Sequence, residues 1–234
     1  DFAPLASLDD IVFGGWDPIS ANALEAARTC GVLEEKDLSP IAQELEGVVA
    51  MDAVFDQTWV SRLEGTRVKP ETNKWDQAMA LMADIENFKV ENGCDRLVMV
   101  WCGSTEAFQE PSAVHETVAA FEQGLKDNDD NISPSQIYVY AALQSDVPFA
   151  NGAPNLSTDL PCMQELSHTR GVPIAGKDFK TGQTLMKTLL APGLKARMLG
   201  LRGWYSTNIL GNRDGEVLDA PENCKTKEES KLGV

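Results

Sequence analysis

Five apolar residues in a row, Leu97-Val98-Met99-Val100-Trp101, restrict what this chain can become. An unbroken run of that length, stopped by small polar residues, predicts a strand buried on both faces of a parallel sheet. Parallel strands need crossover connections, usually helical, so helices should flank it. Trp75, Met79, Met82 and Ile85 recur at helical spacing through Val90, and Asn92-Gly93 ends that helix. Val114, Val118, Phe121 and Leu125 mark another helix, and Met163 to Arg170 a further one stopped by Gly171. Ile11-Val12-Phe13, Ile137 to Ala142 and Ala196 to Gly203 read as strands. Ser20 is expected to cap a helix over Ala21–Cys30, another helix is expected at 37–46, and Phe149 to Asn155 reads as a turn-rich loop. The alternation predicts an α/β fold with a mostly parallel sheet and right-handed crossovers.

Open α/β sheets hold ligands beyond the carboxyl ends of their strands, and three such ends carry chemistry. Asp17 follows Gly14-Gly15-Trp16 and suits a ribose hydroxyl; an Asp before Pro18 is also an ordinary turn residue. Cys102-Gly103-Ser104-Thr105-Glu106 reads equally as a ligand loop or a plain βα loop. The third end follows Val172-Pro173-Ile174-Ala175. There Gly176 to Thr188 gathers Asp178, Lys177, Lys180, Lys187, Thr181 and Thr184 around a helix start. Unpaired N–H groups and the positive end of a helix dipole make such a start an anion site. The plainer reading has Thr181 as helix cap and the lysines in solvent. No G-x-G-x-x-G element is present. A dinucleotide domain would then have its first strand and phosphate loop upstream of Asp1.

Charge divides the chain. The total is −16, which argues against nucleic acid and anionic membrane as partners. Residues 1–150 carry −18 and residues 151–234 carry +2, so an anionic small molecule belongs with the second part. No apolar run approaches the ~18 residues of a membrane-spanning helix, and the opening Asp1-Phe2-Ala3-Pro4 lacks a signal-peptide pattern. Five scattered cysteines read as reduced thiols of a cytoplasmic protein. His115 and His168 read as structural or solvent-facing. Lys227 and Lys231, four apart, share a face if their segment is helical.

Five blocks, in order, resemble the inositol-3-phosphate synthase (myo-inositol phosphate synthase) family. They are Gly15-Trp16-Asp17, Asn151-Gly152-Ala153-Pro154-Asn155, Asp178 to Thr184, Asn208-Ile209-Leu210-Gly211-Asn212-Arg213-Asp214-Gly215, and Lys227-Glu228-Glu229-Ser230-Lys231. The resemblance covers nearly the whole chain. It implies a Rossmann-like, doubly wound domain at 1–173, without its first strand and glycine-rich loop. Residues 174–234 would begin a second α/β domain for catalysis and oligomerisation.

The resemblance also implies an NAD-dependent isomerase of inositol and phospholipid biosynthesis. Such an enzyme converts glucose 6-phosphate to inositol 3-phosphate by oxidation, aldol closure and reduction, usually as a cytoplasmic homotetramer. By match, Asp178, Lys227 and Lys231 are implied as catalytic, with Lys187 a further candidate. Thr181, Gly182, Gln183 and Thr184 are implied to hold the substrate phosphate. Asp17, Ser104, Thr105, Asn208, Asn212 and Asp214 are implied to lie on the cofactor side, with Asp214 also a candidate ligand for an ammonium, monovalent or divalent cation. The chain departs from the family at Leu185, where many relatives have lysine, at Lys177, where many have aspartate, and at Cys102-Gly103-Ser104, which replaces Thr-Ala-Asn. These 234 residues alone are expected to be inactive. Two other readings fit the residues: a non-catalytic sugar-phosphate or nucleotide-binding module, and a different NAD-dependent sugar-phosphate oxidoreductase.

Overall fold

The computed structural model describes residues 5–207 and 213–232. All its named strands pair in parallel. β1 (Trp16–Asp17) leads through α1 (Ala23–Cys30), α2 (Glu35–Leu38) and α3 (Ala42–Glu46) to β2 (Met51–Asp52), its partner in a two-stranded sheet. α4 (Lys74–Glu91) then crosses to β3 (Met99–Trp101), the first strand of a second sheet. α5 (Val118–Asp127) and α6 (Pro134–Gln144) lead to β4 (Phe149–Asn151), and α7 (Pro161–Arg170) to β5 (Ile174–Ala175). The second sheet has the order β3-β4-β5. α8 (Gly182–Ala196), α9 (Asp214–Leu218) and α10 (Pro221–Leu232) follow.

The α/β class and parallel pairing agree with the sequence, but several element assignments change. Ile11-Val12-Phe13 is exposed and unpaired, and the strand forms three residues later, where Trp16 aligns with Met51. The cap of α1 is Asn22, not Ser20: its side chain accepts from Glu25 N, while Glu25 accepts from Asn22 N. The expected helix at 37–46 is broken by a 3-10 turn at Ser39–Ile41, where Pro40 has no N–H to give. Ala196–Gly203 is not a strand; α8 runs to Ala196, and Met198, Leu199 and Leu201 are exposed.

The largest correction is Ile137–Ala142, which is helical. Ser133 and Gln136 form a capping box, Pro134 occupies the first turn, and α6 is buried on every side, so its residues show no amphipathic period. Phe149–Asn151, read as loop, is the strand.

α6 is the axis of the core. With α4, β3, β4 and α7 it gathers Ala78, Leu81, Ile85, Val139, Leu143, Phe149 and Met163 into one cluster. Tyr138 of α6 ties the two sheets together. Its ring lies 5.4 Å from that of Trp16 in β1 and 5.1 Å from that of Trp101 in β3. Its hydroxyl accepts from Val54 N at 2.9 Å, just past β2. All five cysteines are unpaired, as expected. Among the described residues, no helix is long and apolar enough to cross a membrane.

Between the sheets runs a cleft. Residues 14–19 and 97–104 line it consecutively, so it meets the edges of β1 and β3 and not only one face. The register agrees. Met99 N donates to the Pro148 carbonyl and Trp101 O accepts from Gly152 N, so the backbone groups of Val100 point away from β4. Val98 and Val100, two apart and so on one face of the sheet, are 68% and 47% exposed, contrary to a strand buried on both faces.

Candidate functional site

The carboxyl ends of β3, β4 and β5 lie side by side, and each loop holds the next. Gly152 N donates to Trp101 O, Phe179 N to Gly152 O at 3.1 Å and Asp178 N to Ala153 O at 2.9 Å. A Cβ on Gly152 would sit 2.8 Å from the Trp101 carbonyl oxygen and 2.7 Å from the Phe179 ring, so only glycine lets these strands' ends approach. The amides of Asn151 and Asn155 supply the scaffold. Asn151 Nδ2 donates to the Asn155 carbonyl and to Ser157 Oγ. Asn155 donates to Ser104 O and accepts from Glu106 N, fixing the loop beyond β3.

On this scaffold Asp178 adopts a left-handed backbone (φ 55°) and is only 8% exposed. A buried carboxylate needs charged or donor partners, and α10 supplies them. Lys227 Nζ donates to Oδ1 at 3.3 Å and Ser230 Oγ donates to Oδ2 at 3.3 Å. Lys180 Nζ stands 3.7 Å from Oδ2 and contacts the Ser230 carbonyl at 3.5 Å. Of the three residues expected as catalytic besides Asp178, only Lys227 meets it among the described contacts. Lys231 is exposed, and Lys187 lies over the Trp204 ring at 5.8 Å. Trp204 and the 89%-exposed Tyr205 lie at the surface.

α10 is held by buried amide and hydroxyl groups. Asn223 Nδ2 donates to Trp59 O and Thr105 O, and Thr226 Oγ1 donates to Glu106 O at 2.7 Å. The helix therefore spans from the loop beyond β3 to the Asp178 cluster. Thr105 is buried there and contributes its carbonyl. Glu106 is buried with it. It accepts from Ser135 N at 2.8 Å and Ser135 Oγ at 2.6 Å, and burial pushes its carboxyl up to about 7.

The helix start of α8 lies next to this cluster in sequence. Thr181 is at the N-cap position, but its hydroxyl makes no cap bond, so the plain capping reading does not describe it. Thr181 and Gly182 are exposed, and Gln183 and Thr184 are half-buried. Ser206 Oγ donates to Gln183 Oε1 at 2.6 Å.

The cleft between the sheets has a volume of about 440 Å³, within the ligand-site range. Its lining includes Asp17, Ser104, Arg213 and Asp214. Asp17 Oδ1 accepts from Ile19 N at 2.8 Å, and its side chain is exposed. The Trp101 indole N–H, also in the lining, is buried with no hydrogen-bond partner among the described residues. Apolar walls with a carboxylate, a hydroxyl, a guanidinium and an orphaned donor fit a nucleotide's base, ribose and phosphate. Among the described residues no three His, Cys, Asp or Glu side chains converge on a metal-sized site, so Asp214 has no such companions. Asn208 and Asn212 lie outside the described residues.

Residues 1–221 match the family described as myo-inositol-1-phosphate synthase. The chain belongs to that family. Inositol-3-phosphate synthase 1 of Bacteroides thetaiotaomicron is 54% identical over 100% of this chain and 55% of its own length. The inositol-3-phosphate synthase of Citrus paradisi is 34% identical over 99% of this chain and 46% of its own. The crystal structure of inositol-3-phosphate synthase from Caenorhabditis elegans superposes with a TM-score of 0.91 at 27% identity. The match covers 97% of this chain and 45% of that one. The chain thus spans about half the length of the synthases it matches.

His115 is structural, as expected: buried, it accepts from Ser112 N at Nδ1, and its Nε2 lies 3.1 Å from Gln136 Oε1. Ser230, Glu106 and Arg213 received no individual role from sequence. The available signal was the spacing of Asn223, Thr226 and Ser230, a polar stripe on one helix face.

Proposed function

We propose that this chain is the cofactor domain, residues 1–173, and the start of the catalytic domain, 174–234, of an NAD-dependent inositol-3-phosphate synthase acting on glucose 6-phosphate. The observation that carries this is Asp178, a buried carboxylate engaged by Lys227 and flanked by Lys180 beyond three adjacent strand ends. Family membership supports the same reaction.

In this reading Asp17, Ser104 and Asp214 hold NAD in the cleft, with Arg213 beside them and Asn208 and Asn212 assigned by resemblance alone. The chemistry that NAD would supply when bound there is reversible hydride transfer at carbon 5 of the open-chain sugar. Thr181, Gly182, Gln183 and Thr184 anchor the phosphate at the N-terminus of α8, where the positive end of the helix dipole favours an anion. That end of the substrate does not react, so binding energy there positions carbons 1 and 6 for closure. Lys227 and Lys180 present ammonium groups to the oxygens that gain negative charge during enolisation and closure. Asp178 orients them. Lys231 and Lys187 enter as further cations, and Asp214 as the candidate ligand of a bound cation. The parent enzyme is a cytoplasmic homotetramer in this reading.

The test is turnover by the full-length protein. Glucose 6-phosphate and catalytic NAD should give inositol 3-phosphate without net NADH, and Lys227→Ala should lower kcat by about 10²-fold or more. Accumulating NADH would instead identify a net oxidoreductase. Ligand binding without turnover would identify a sensing module.

A further inference from the structure

We infer that Ser230 is a positioning residue for Asp178 and, through it, for Lys227; the inference rests on the proposed catalytic reading of that pair. Ser230 is 4% exposed, and its hydroxyl donates to Asp178 Oδ2 at 3.3 Å. Lys180 stands 3.7 Å from the same oxygen, an ion-pair distance beyond a hydrogen bond. Lys227 holds Oδ1.

Lys227 and Ser230 are three apart on α10, neighbours on one side of the helix. One turn of α10 thus grips both oxygens of a single carboxylate. A carboxylate held at one oxygen can swing about its terminal torsion, whose energy profile is broad. Held at both, it keeps a fixed plane, and Oδ1 keeps the Lys227 ammonium in one place. Lys180 completes the arrangement by reaching the Ser230 carbonyl. Ser230 itself need not touch substrate.

The test uses the full-length enzyme with glucose 6-phosphate and NAD. Ser230→Ala should lower kcat about tenfold, the loss associated with one hydrogen bond to a charged group. The KM values for glucose 6-phosphate and NAD should stay within twofold. Ser230→Cys, nearly isosteric but a weak donor, should reproduce the loss if the alanine variant fails to fold. Ser230→Thr, which restores the hydroxyl, should recover most of kcat. Wild-type kcat in the alanine or cysteine variant would overturn the inference. So would a folded threonine variant as slow as alanine, because a hydroxyl would then not be what matters. An inactive wild-type enzyme would instead refute the proposed function, and the two failures are distinct.

Discussion

Glu106→Gln makes the sharpest stability prediction. Glu106 is fully enclosed, and no cation pairs with it among the described residues. Its carboxylate is met by the Ser135 amide and hydroxyl at 2.8 and 2.6 Å, with Ser133 Oγ 3.1 Å from that hydroxyl. These bonds favour the charged form, but desolvation outweighs them, and the carboxyl rises from 4.5 to about 7. The folded state therefore holds a proton between those values that the unfolded chain has released. Stability from this group is fully present below pH 4.5 and is lost as pH rises through 7. The difference corresponds to about 3 kcal/mol.

Glutamine removes the titration and keeps the shape. Its oxygen can accept from Ser135 N, and its amide can donate to Ser135 Oγ, as a protonated carboxyl does. At pH 4.5 the variant should match the wild type. At pH 8 it should be more stable by up to about 3 kcal/mol, or about 6–12 °C in Tm for a chain of this size. Thermal melting of both proteins across pH 4.5–8, with urea midpoints as a second measure, reads the difference directly. A gap that does not grow with pH, or a variant less stable at pH 8, would refute the claim that Glu106 is buried against its charge.

Three further outcomes are expected. Gly152→Ala places a methyl against the Trp101 carbonyl and the Phe179 ring, so chemical denaturation should show a loss of about 1–3 kcal/mol. Tyr138→Phe removes the acceptor for the buried Val54 N–H, and urea unfolding should report a loss of about 1–3 kcal/mol. In the full-length enzyme, Thr181→Val with Thr184→Val should raise KM for glucose 6-phosphate at least about tenfold, the scale of one or two lost hydrogen bonds to a charged group. Steady-state kinetics with an unchanged KM would remove those hydroxyls from the phosphate site.

Much of the architecture was legible where one physical demand acted alone. α4 shows its period because one side faces solvent, and α7 ends at Gly171, whose left-handed backbone favours glycine. α6 was misread because complete burial erases that period. Six apolar residues then look like a strand, and the informative residues were the caps Ser133, Pro134 and Gln136. β4 was missed because three residues are too few to show alternation before Asn151 turns the chain.

At the site, Asp178, the Thr181–Thr184 turn and Lys227 stood out by residue type and resemblance. Ser230 did not, because nothing local tells a buried serine from a solvated one. Its role comes from Asp178, 52 positions earlier. Lys231 looked equivalent to Lys227 by helical spacing. The inward stripe of α10 is instead Asn223, Thr226 and Ser230, and Lys231 stays in solvent.

The facing edges of β1 and β3 bear on how these 234 residues behave in a tube. A parallel strand with one side bare is a template for any extended peptide that reaches it. Here two such templates border one groove, and Val98 and Val100 offer exposed apolar side chains beside it. Solubility of the isolated chain then depends on keeping that groove covered or the protein dilute. Its −16 charge opposes self-association, and salt weakens that repulsion.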